Sequence, residues 1–150
     1  MRYTEGRIKA EARSDETDPV MFTPQPQPKP GPVREPAPFR IDAERFTPAG
    51  LLLEIHGELD VETTPALRAQ LSRAVDGGVR RVVLDLRELD FLDSIAVAAL
   101  LQIRMRLGEH GRLAVVVEPG SYVRMVFEIA GLPRSLSVVA TRAEALAAVA

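Results

Sequence analysis

The stretch Phe91 to Leu101, FLDSIAVAALL, places an acid and a hydroxyl, Asp93 and Ser94, between an apolar strand pattern and an apolar helix pattern. Residues of these types at such a joint have two chemical uses. Either can cap the helix by accepting a hydrogen bond from one of its first unpaired backbone N–H groups. The serine can instead be a phosphorylation site, because the positive end of a helix accepts a phosphate with little rearrangement of its own domain. The residues alone leave cap and switch both open. A third use, a hydrolytic triad of Ser94 with His56 and an aspartate, lacks its turn: there is no Gly-x-Ser-x-Gly elbow, and Asp93 and Ile95 flank the serine.

The remaining reactive groups are few. There is no cysteine, which removes thiolate nucleophiles, disulfides and cysteine-ligated zinc. Lysine occurs only at Lys9 and Lys29, so the rest of the chain has no Walker lysine, no Schiff-base lysine, and none for a phosphoacceptor-aspartate domain. Two histidines, His56 and His110, are too few for a histidine metal site, and His56 reads as a partly buried strand residue. We therefore expect no enzyme, no metal and no cofactor. A net charge of -2 gives no general attraction to nucleic acid or anionic membrane. No run of about 18 apolar residues is present and the N-terminus lacks a signal-peptide core, so cytoplasm is the expected location.

Two unlike parts must position these groups. Residues 1–38 hold eight of the twelve prolines and read as a disordered tail, a solvated leader or a docking segment for a proline-binding partner. Residues 39–150 alternate strand and helix patterns. FRIDAERF and LLLEIHGEL, separated by Thr47-Pro48-Ala49-Gly50, predict a hairpin. Thr64 before Pro65 predicts a capped helix over 64–76, stopped by Gly77-Gly78. VRRVVLDL predicts an interior strand, ELDFLD a connection, and IAVAALLQIRMRL an apolar helix whose Arg104 and Arg106 reach solvent. RLAVVVEP, SYVRMVFEIAG, SLSVVA and RAEALAAVA continue as strand, helix, strand and helix, the last with Thr141 and Glu144 as a capping box. The order β-β-α-β-α-β-α-β-α implies an α/β fold, a mixed, mostly parallel sheet covered by about four helices. Working residues of such sheets gather where strands end, at Gly57 to Asp60 and at Asp93-Ser94.

HGELD after a buried strand, VVLDLRELDFLDS leading into a helix, and VFEIAGL farther on together resemble the STAS domain, the sulfate-transporter and anti-sigma-factor-antagonist family, over about residues 40–148. The resemblance implies a bacterial anti-sigma factor antagonist, a monomer that meets a dimeric kinase. In those antagonists the helix opens with Asp-Ser-(Ser or Thr)-Gly, and the first serine is phosphorylated by an anti-sigma factor acting as a serine kinase. That serine falls on Ser94, the motif's aspartate on Asp93, and the second acidic residue of the family's site on Asp60. A serine/threonine phosphatase would reset the switch. Ile95 and Ala96 depart from the motif's hydroxyl and glycine, and with Asp60, Asp93 and Ser94 we place Ile95 at the partner surface. The same departure admits a second role, a scaffold or regulatory subunit of a transporter or stress-sensing complex, without phosphorylation.

Overall fold

The computed structural model describes residues 37–150, so the expected Pro-rich tail lies outside the described residues but for its last two positions. The strands are β1 (Arg40–Thr47), β2 (Gly50–Leu59), β3 (Arg81–Asp85), β4 (Leu89–Leu92), β5 (Arg112–Val116) and β6 (Ser137–Val139). The helices are α1 (Thr64–Asp76), α2 (Ser94–Leu107), α3 (Tyr122–Ile129) and α4 (Arg142–Val149), with a short 3-10 turn at Leu132–Arg134. The sheet runs β1-β2-β3-β5-β6, with β4 attached separately to β2. Among the described residues only the β1–β2 hairpin is antiparallel; the other pairings are parallel.

Alternation along the strands divides the core. Leu51, Leu53 and Ile55 of β2, Val82 and Leu84 of β3, and Leu113 and Val115 of β5 point to one face, where Leu67, Leu71, Leu100, Ile103 and Phe127 of α1, α2 and α3 cover them. Leu52, Val83, Ala114 and Val116 point to the other, which α4 covers with Ala145 and Val149. Each fully buried leucine or valine contributes roughly 1.5–3 kcal/mol, so the larger layer carries most of the driving force.

The predicted hairpin and the helix over 64–76 are present as read. Two readings need correction. ELDFLD is not a plain connection: Leu89–Leu92 is a strand, with Glu58 beside Phe91 and Leu59 beside Leu92. Thr64 does not cap α1: it is the first helical residue, fully buried, and the capping position is Thr63. The Thr64 hydroxyl has no hydrogen-bond partner among the described residues. Replacing it with the isosteric methyl removes a desolvated polar group, so Thr64→Val is expected to stabilise the domain by about 1 kcal/mol in urea unfolding. A destabilised variant would show that the hydroxyl is satisfied in solution.

Gly57 has φ +92°, and a Cβ there would lie 2.8 Å from the Ala37 carbonyl oxygen and 2.9 Å from the Phe39 Cα. The chain entering β1 thus crosses directly over this glycine. Gly57→Val is expected to cost about 2–3 kcal/mol, from left-handed backbone strain and the clash together, measured as a lowered denaturation midpoint. An unchanged midpoint would mean that residues 37–39 are not seated there.

Candidate partner-docking site

The unforeseen strand β4 is what assembles the site. Its end lies beside the end of β2, and the Asp93 N–H donates to the Leu59 carbonyl at 3.2 Å. The turn after β2 and the joint before α2 are therefore neighbours, which brings Asp60 alongside Asp93 and Ser94.

The cap and the hydroxyl are separate residues. Asp93 sits in the extended conformation of an N-cap, and its Oδ1 accepts the Ala96 N–H at 3.0 Å. Ser94 is the first residue of α2, exposed, and no hydrogen bond among the described residues uses its hydroxyl. Ile95 is 42% exposed, whereas Ala96 is buried against the core. The four residues named from the sequence thus reach one end of the sheet.

Asp60 is built into its own turn. Its Oδ1 accepts the N–H groups of Glu62 and Thr63 at 2.9 and 3.0 Å. Thr63 Oγ1 accepts the Asp60 N–H at 2.9 Å and donates to the Glu58 carbonyl at 2.7 Å. The Thr63 N–H, chief among these donors, holds the carboxyl below the ordinary carboxylate range, against a smaller opposing push from burial. The site therefore keeps a fixed negative charge next to the serine. Sequence reasoning missed Thr63, the lock of this turn, and the stacked pair Phe91 and Tyr122, whose rings lie 5.8 Å apart. An aromatic residue directly after the α3 cap Ser121 was the available signal.

On the α4 side lies a second polar group, unread in the sequence. Asp85 is 1% exposed and accepts Arg87 at 3.0 and 2.7 Å and Arg142 Nε at 2.7 Å. Arg142 also bridges to Glu54 at 3.1 Å. Asp42, Glu54 and His56 place one possible ligand atom each within 4.8 Å of one another. Arg40 lies on this group, 3.0 Å from Asp42 and 3.1 Å from the His56 Nε2, while Arg142 lies on Glu54. A metal ion there would have to displace two guanidinium groups, so the donor set fits an ion-pair network better than a cation site. Arg106 is exposed as expected, and it also ties α2 to α1 through Ser72 at 2.8 Å and Asp76 at 2.6 Å. None of the helices among the described residues is long and apolar enough to cross a membrane.

The family model for the STAS domain matches residues 40–145. A Bordetella bronchiseptica protein, BtrV, whose name marks it as a candidate anti-sigma factor antagonist, is 37% identical over 100 residues, covering 66% of this chain and 85% of its own. The crystal structure of an anti-sigma factor antagonist from Mycobacterium paratuberculosis superposes with a TM-score of 0.69 at 25% identity, covering 78% of this chain and 98% of that one. The Bacillus cell fate determinant SpoIIAA in its phosphorylated form superposes with a TM-score of 0.56 at 28% identity, covering 72% and 97%.

Proposed function

Because the chain belongs to the STAS domain family, we propose that it is an anti-sigma factor antagonist, binding a serine-kinase anti-sigma factor and freeing its sigma factor until Ser94 is phosphorylated. The observation that carries this reading is the division of labour at the helix start: Asp93 is the cap, which leaves the Ser94 hydroxyl exposed and unengaged by any of the described residues. A relative of the same fold has been solved in a phosphorylated form.

The mechanism is exclusion by charge with little change of shape. A phosphate on Ser94 sits over the unpaired N–H groups of the first turn of α2, where the helix dipole favours it. The domain is undisturbed. A partner seated on the same surface meets an added charge of about -1.5 to -2 beside Asp93 and Asp60, and lets go. Catalysis belongs to the partners, the kinase that writes the mark and a serine/threonine phosphatase that removes it. We place the protein in the cytoplasm and read it as a monomer.

The test is to incubate the full chain with each purified serine-kinase anti-sigma factor of its host and ATP, and to map any phosphate by mass spectrometry. A single mark on Ser94 that dissociates the complex is expected. Stable binding with no phosphate on Ser94 would overturn the switch in favour of a scaffold role.

A further inference from the structure

Three helices, α1, α2 and α3, begin at the carboxyl ends of β2, β4 and β5. Each start presents one large apolar side chain to solvent: Val61 at 61% exposure before α1, Ile95 at 42% in α2, and Tyr122 at 46% opening α3. The same three strand-to-helix turns, 60–63, 93 and 117–121, carry Asp60, Glu62, Asp93 and Glu118 and contain no arginine or lysine. Arginines near this end in sequence are engaged elsewhere, Arg68 on Gln102, Arg87 on Asp85 and Arg124 on Glu128. Exposed apolar groups of this size are costly to leave in water, and Asp60, Glu62 and Asp93 have no salt-bridge partner among the described residues, while Glu118 lies in the field of Arg87; this end of the sheet is thus complementary to an apolar surface that carries positive charge.

We infer that Val61, Ile95 and Tyr122 form a three-point apolar anchor whose partner is a protein surface with an apolar socket rimmed by arginine and lysine. This deepens, and rests on, the reading of the Ser94 end as the site where the anti-sigma factor docks. The apolar points supply affinity and choice of partner, and the carboxylates supply attraction at a distance. Ile95 then has a reason: a β-branched apolar side chain beside the switch serine admits only a partner with an apolar pocket at that point, and a polar one is rejected by unpaired desolvation. Tyr122 is held ready by its stack on Phe91. Phosphorylation of Ser94 acts directly beside Ile95, one of the three points.

The experiment measures binding of the full chain to each purified serine-kinase anti-sigma factor of the host, at equilibrium and as association rates, at about 50 and about 300 mM salt. Val61→Ser and Tyr122→Ser are each expected to weaken binding about tenfold or more. Met105→Ser, equally apolar and 79% exposed but on the last turn of α2, is expected to leave it unchanged. Raising salt is expected to slow association by about tenfold, and less so in Glu62→Gln with Glu118→Gln. Melting curves check folding, and Val61, in a turn and the most exposed of the three, keeps the test valid should Tyr122→Ser unfold. Wild-type affinity in Val61→Ser and Tyr122→Ser, with binding still lost in Ser94→Asp, would overturn the anchor and leave the switch standing. Salt-independent association would overturn the basic rim. Failure of the wild type to bind any of these kinases would overturn the functional reading and the anchor together.

Discussion

Ser94→Asp is expected to bind the cognate anti-sigma factor about a hundredfold more weakly than the wild type, while Ser94→Ala binds as tightly with ATP present as without it. The loss follows from adding a charge at a contact that already contains Asp93 and the turn-locked Asp60. Like-charge contact with desolvation costs about 3 kcal/mol, which is about two decades in Kd. The same substitution leaves the domain intact. A carboxylate in the first turn of α2 interacts favourably with the helix dipole by about 0.3–1 kcal/mol, so the denaturation midpoint stays level or rises slightly. Affinity and stability therefore move in opposite directions, which no merely structural role of Ser94 reproduces. Isothermal titration alongside urea unfolding reads both. Equal affinity of Ser94→Asp and wild type would remove the charge mechanism.

The departures from the family's motif acquire separate meanings once their exposure is known. Ala96 is 1% exposed and faces the core as the third residue of α2, where alanine favours the helix over glycine by about 1 kcal/mol. Its effect falls on the domain's own rigidity. Ile95 lies beside it but outward, so its consequence falls on whatever covers the surface. One substitution firms the platform; the other changes what the platform can touch.

How much of this was legible in the residues differs from one element to the next, for physical reasons. Helix α1 was readable because Thr64-Pro65 and Gly77-Gly78 bracket an apolar repeat of helical period. The strand β4 was not. Leu89–Leu92 is four residues long, too short for alternation to register, and what makes it a strand is a parallel ladder to residues more than thirty positions earlier. That ladder also brings the turn of Asp60 beside Asp93-Ser94, so the candidate residues could be named from the sequence and the reason for their proximity could not. Cap and switch could not be told apart at Asp93-Ser94, since both residue types cap well. Which of the two is the cap rests on which side chain turns back to the Ala96 N–H, a torsional fact absent from composition. Asp85 was passed over as the end of an apolar strand. Its partners are two residues away at Arg87 and 57 away at Arg142, and only folding shows that the second is within reach.

That carboxylate carries a stability effect as large as the one expected at Gly57. Asp85→Ala should lower stability at neutral pH by about 2–3 kcal/mol, with a fall in Tm on the order of 10 °C. Removing it strips two guanidinium groups of their shared partner. Arg87 and Arg142 are each 37% exposed and recover part of their hydration, which keeps the cost below that of a fully buried pair. The pH dependence identifies the cause. Burial pushes the Asp85 carboxyl up, but hydrogen bonds from Arg87 and then Arg142 outweigh it and bring it down to about 2, from an ordinary value of 3.8. A group depressed on folding contributes stability that is fully present above its unfolded value and is lost as pH falls through its folded one. The gap between wild type and Asp85→Ala should thus be constant from neutrality to about pH 5 and shrink by about 2 kcal/mol as pH approaches 2. Because Arg142 opens α4 and α4 is the described helix that covers the Leu52, Val83 and Val116 face, amide exchange in α4 should quicken before that in α1 or α2. A stability gap that stays the same at pH 7 and near pH 2.5 would show that Asp85 acts by packing, with no part played by its charge.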